Sequence, residues 1–83
     1  MNHVHDKKRL EILAKNIKQF REERSMSRSA LAKYVGVTEL DIVRYEFCID
    51  EPPATVLYNI AEMLNVNLHR IFMDDYEWFE YCL

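Results

Sequence analysis

Eighty-three residues are one domain's worth of chain, and a chain this short must bury its core efficiently. Its 49% hydrophobic content suffices for a core, while one glycine and two prolines are too few turn residues for a sandwich or barrel. The net charge of −3 conceals a division, because residues 1–33 hold nine Lys/Arg against four Asp/Glu and residues 34–83 hold two against ten.

Such asymmetry fits a nucleic-acid face on the first half, head-to-tail pairing of unlike surfaces, or ordinary solvated helix faces. No apolar run reaches the length of a membrane span, and the start, Met1 to Asp6, has no apolar signal core. The expectation is a cytoplasmic protein with no membrane contact. Cys48 and Cys82 are too few for a disulfide framework and read as reduced, buried thiols.

The chain starts with a polar stretch, so residues 1–9 are expected as a flexible N-terminal segment. Leu10, Leu13, Ile17 and Phe20 then recur on one helical face, with Ala14 beside them, and predict a helix from about Lys8 to Arg24. Ser25-Met26-Ser27 interrupts the pattern, and Ser27 has the hydroxyl of an N-cap. A helix over 28–35 turns Leu31, Ala32 and Val35 inward and ends at Gly36, a residue free to take positive φ. Thr38 caps a third helix running to about Phe47.

Pro52-Pro53 makes residues 48–53 a loop. A fourth helix opens near Thr55 and carries Val56, Leu57, Ile60, Ala61 and Leu64. Asn67 caps a fifth with Leu68, Ile71 and Phe72. The folded domain is thus expected over 10–73, with 74–83 an acidic, aromatic tail. Phe72, Tyr76 and Phe79 would share one face if the fifth helix continued. That face would form a dimer contact or close the monomer's own core.

Residues 28–47 satisfy a set of linked demands for two helices joined by a tight turn. A small residue is needed where the helices cross, at Ala32, and a glycine at the turn, Gly36. An apolar plug follows at Val37, and Ile42 and Tyr45 face inward from the second helix. From Leu13 to Phe72 the chain resembles the Cro/lambda-repressor-type helix-turn-helix family, also called the xenobiotic-response-element family. The stretch from Leu13 to Arg24 looks like that family's first helix, and Ala54 to Leu68 like its fourth helix and the entry to its fifth.

The resemblance implies an all-α, compact five-helix domain that binds duplex DNA as a transcriptional regulator of repressor type, usually as a homodimer. It also implies a pair between Arg21, late in the first helix, and Glu46, ending the recognition helix over 38–47. Such a bidentate pair would pin the third helix to the first. By position, DNA contacts fall to Ser27, Arg28, Ser29 and Lys33 and to Thr38, Glu39, Leu40, Asp41, Val43 and Arg44. Arg28 stands where the family commonly has glutamine, and arginine suits both guanine and phosphate.

The outward face of the third helix departs from a basic pattern. Leu40, Val43 and Phe47 fall within a sector of about 60° away from Ile42 and Tyr45. Glu39 and Asp41, with Asp50 and Glu51 in the following loop, add charge that opposes counterion release. One reading keeps DNA: acids accept from cytosine amino groups, Leu and Val meet thymine methyls, and Arg44 takes guanine or phosphate. A second turns the Leu40, Val43 and Phe47 stripe into a protein-binding patch or antirepressor surface. A third packs the stripe beneath the aromatic tail.

No catalytic constellation is present, so no enzyme and no cofactor are expected. His3, His5 and Asp6 could hold a metal only weakly, since no Cys/His partners stand at zinc spacing.

Overall fold

The apolar face of Leu13, Ile17 and Phe20 is the seam on which the molecule is built. A computed structural model describes the backbone of residues 4–83 and the side chains from Lys7 onward, so the possible metal ligands His3, His5 and Asp6 lie outside the described side chains. The helices are α1 (Val4–Glu23), α2 (Arg28–Val35), α3 (Glu39–Glu46), α4 (Ala54–Met63), α5 (Leu68–Ile71) and α6 (Asp75–Cys82). No strand occurs among the described residues.

Leu13, Ile17 and Phe20 of α1 meet Leu31, Ala32 and Val35 of α2 and Ile42 and Tyr45 of α3. Ile60, Ala61 and Leu64 of α4 and Ile71 of α5 complete the same core. Seven of these side chains are fully buried, each stabilising the fold by about 1.5–3 kcal/mol. Helix α2 packs on α3 and α4, and α1 supports α3 and α5.

Four helices end in the same way. Gly36 follows α2 at φ 78°, but Ser25, Cys48 and Asn65 take the same left-handed conformation after α1, α3 and α4, at φ 52°, 58° and 55°. In each case the next residue's N–H reaches back five residues: Met26 to Arg21 O (3.1 Å), Val37 to Ala32 O (3.0 Å), Ile49 to Arg44 O (2.8 Å) and Val66 to Ala61 O (2.8 Å). This Schellman arrangement satisfies carbonyls that a helix end would leave open, and an apolar residue habitually follows it. Met26, Val37 and Val66 pack against the core, whereas Ile49 stays 61% exposed.

Two boundaries differ from expectation. Helix α1 begins at Val4 rather than Lys8, so residues 4–9, expected as flexible, are helical. No glycine or proline interrupts this stretch, and Arg9 is anchored across the molecule. Its Nη1 donates to Phe72 O (2.6 Å) and to Glu77 Oε1 (3.1 Å), and its Nη2 to Glu77 Oε2 (2.6 Å). The tail does not prolong α5. Asp74 restarts the chain as an N-cap, its carboxylate accepting from Glu77 N–H (2.7 Å) while Glu77 accepts from Asp74 N–H (3.1 Å).

The tail is therefore a sixth helix beside the expected five. Tyr76, Phe79 and Leu83 share a face of it and are 72%, 62% and 87% exposed. The buried Asn16 closes the end of α5, donating from Nδ2 to Ile71 O (2.9 Å) and Met73 O (2.8 Å). Cys48 and Cys82, expected to be buried, are exposed free thiols, because one lies in the loop after α3 and the other at the end of α6.

Candidate nucleic-acid interface

Two capped helices and one turn set the geometry. The Ser27 hydroxyl accepts from Ala30 N–H (3.0 Å) and starts α2. At the far end Ala32 O takes both Gly36 N–H (2.9 Å) and Val37 N–H (3.0 Å). Ala32 is buried, Val37 half-buried against the core, and Ile42 and Tyr45 buried below α3. Thr38 and Asp41 then start α3 through a reciprocal box: Asp41 N–H donates to Thr38 Oγ1 (3.1 Å) and Thr38 N–H to Asp41 Oδ2 (3.0 Å).

The orientation of α3 is held from beneath. Arg21 Nε donates to Glu46 Oε2 (2.6 Å) and Nη2 to Oε1 (3.1 Å), while Nη1 reaches Met26 O (2.8 Å). Arg28 Nε adds a third bond to Glu46 Oε1 (2.8 Å). The Glu46 carboxylate has no solvent exposure, and the Arg21 side chain has 8%. A carboxylate buried this completely is tolerable only with such partners. The same bond to Glu46 raises the Arg21 pKa above its ordinary value.

Arg28 thus differs from a freely presented DNA contact. Its Nε is committed to Glu46, and its guanidinium lies 5.8 Å from the centre of the Phe47 ring. Among the described residues its two terminal nitrogens have no protein partner. Thr38 and Asp41 are committed as well. The Thr38 backbone N–H and hydroxyl hold the Asp41 carboxyl below the usual carboxylate range. The Asp41 charge therefore serves the start of α3, where the helix dipole favours it.

Arg44 Nη1 lies 3.4 Å from Asp50 Oδ2, both side chains being exposed, which is a weak pair. Ser29, Lys33 and Glu39 are exposed, with no side-chain partner among the described residues. Arg24 Nη1 bonds Phe20 O (3.1 Å) and its guanidinium covers the Phe20 ring at 5.4 Å.

Between these polar groups stand exposed apolar side chains. Leu40 is 60% and Phe47 57% exposed, and Val43 between them is half-buried. The possibility that this stripe packs beneath the aromatic tail is overturned. Arg9 and Glu77 fasten α6 to the start of α1, and Leu40 and Phe47 stay open to solvent. Sequence reasoning also passed over Ile49, a further exposed apolar side chain, which lines a surface hollow with Leu10 of α1 and Pro52. The signal was available, since Ile49 follows a helix break as Met26, Val37 and Val66 do.

Comparison with known families matches residues 17–71, more than half of the chain, to a helix-turn-helix model. No curated protein and no solved structure matches the chain. The matched span takes in α2, the Gly36 turn and α3 together with the α1 and α4 segments that support them, and the chain belongs to the Cro/lambda-repressor-type helix-turn-helix family of DNA-binding regulatory domains.

Proposed function

We propose that this protein is a repressor-type transcriptional regulator that binds duplex DNA as a homodimer, acting in the cytoplasm and not as an enzyme. The observation that carries the proposal is the presentation of α3. Its first turn, Glu39 and Leu40, is exposed while its last turn is clamped by Arg21, so its N-terminal end projects into solvent. That is the end a recognition helix places against base edges.

Phosphates would be met by Ser29, Lys33 and the terminal nitrogens of Arg28 on α2, with Ser27, Thr38 and Asp41 serving as caps that hold both helix starts in register. Base edges would be met by Glu39, Leu40, Val43 and Arg44. The homodimer contact proposed is the exposed Tyr76, Phe79 and Leu83 face of α6. Affinity for duplex DNA measured against salt concentration tests the proposal, since phosphate contacts release counterions.

A second reading has its own support. Arg28 and Arg44 both sit on carboxylates, and Leu40 and Phe47 are wide open. That combination suits a protein partner docked on Leu40, Val43 and Phe47, with the acidic half facing a basic surface. Absence of duplex binding at low salt would favour it.

A further inference from the structure

The side chains of α3 divide into spent and unspent groups. Thr38 and Asp41 bond each other's backbone, and Tyr45 and Glu46 are buried. Arg44 stands one turn farther along, beside Asp50. The helix, Glu39 to Glu46, contains no Asn, Gln, Ser or Lys. It therefore lacks the amide that pairs bidentately with adenine N6 and N7. What its exposed first turn offers a base pair is Leu40, with Val43 three residues on and on the same face.

An A·T pair presents one apolar group in the major groove, the thymine C5 methyl. We infer that Leu40 and Val43 are specificity-determining residues that read adjacent thymine methyls, so that A·T pairs are recognised through the pyrimidine rather than through adenine. The inference rests on the DNA-binding proposal above. Glu39, the polar group beside Leu40, can only accept while ionised, and so favours cytosine N4 at the flanking position. A half-site of this kind holds thymines on the strand nearest Leu40, next to a cytosine. Burying one methyl-sized group against Leu40 strengthens binding about fourfold.

The experiment begins with selection from a random-sequence duplex pool by the full chain at low salt. Each thymine of the enriched half-site is then replaced singly by deoxyuridine, which removes only the methyl. The expected result is a loss of about fourfold in affinity at one or two adjacent thymines. That loss should disappear in Leu40→Ala or Val43→Ala, both checked for native helicity by circular dichroism. Tight duplex binding indifferent to deoxyuridine would overturn the methyl inference and leave the DNA proposal standing. So would sensitivity that persists unchanged in both variants. Failure to enrich or bind any duplex would overturn the DNA proposal, and the methyl inference with it.

Discussion

Arg21 and Glu46, 25 residues apart, form a two-point pair of 2.6 and 3.1 Å that fixes the end of α3 against α1. Because the Glu46 carboxylate has no exposure, removing its main partner strands a buried charge. Arg21→Ala is expected to lower unfolding free energy by about 3 kcal/mol. Arg28→Ala, whose side chain is 29% exposed, should cost far less. Urea unfolding of both variants measures the difference, and a cost of only a few tenths of a kcal/mol for Arg21→Ala would show an ordinary surface pair.

The reciprocal bonds of Thr38 and Asp41 separate the two acids at the start of α3. Asp41→Ala should destabilise by about 1 kcal/mol through loss of the box. Glu39→Gln should leave stability almost unchanged, because Glu39 has no side-chain partner among the described residues, and should strengthen binding to random-sequence duplex by removing a charge opposed to phosphate. Thermal unfolding and duplex titration of the two variants check the contrast.

The left-handed residues provide a third test. An added Cβ at Gly36 meets nothing within 4 Å, so the cost of Gly36→Ala comes from φ +78° alone and should be about 1 kcal/mol. Cys48→Gly should raise the melting temperature, since it relieves the same penalty at φ 58°. The gain is reduced by the greater freedom of an unfolded glycine. Asn65→Gly should gain less, because asparagine tolerates this conformation.

Much of the core was legible in the sequence, and the reasons are physical. The spacing of Leu13, Ile17 and Phe20 announces a buried face, and Gly36 announces its turn because only glycine enters left-handed space without penalty. Ser25 and Cys48 gave no such signal, since neither residue type favours that conformation and each adopts it where the next residue's N–H closes the helix end. The early start of α1 was equally hidden, because Arg9 finds Glu77 across 68 residues. At the candidate site, residue types identified the exposed positions. They could not show that Asp41 is turned back on Thr38, or that Arg28 is drawn towards Glu46.

The Arg9 pair predicts an acid-sensitive tail. Bonded to Arg9, the Glu77 carboxyl is lowered from 4.5 to about 2. The stabilisation is therefore complete above about pH 4.5 and is lost as pH falls towards 2. Trp78 fluorescence should report loosening of α6 over that window. In Arg9→Gln the Glu77 titration should move up towards 4.5, so α6 should already be looser at neutral pH and the acid-dependent change should shrink.

The exposed face of α6 predicts the oligomeric state. A chain truncated after Asp74 should sediment as a monomer under conditions where the full chain is a dimer, and Tyr76→Ser with Phe79→Ser should act alike. A dimer that survives truncation would remove α6 as the contact.

If α2 and α3 hold DNA, duplex binding must weaken steeply as salt is raised. With Arg28 and Lys33 on phosphates, log affinity should fall against log salt with a slope of about −2 per protomer. No binding to duplex DNA at low salt, by a protein that remains folded, would contradict it.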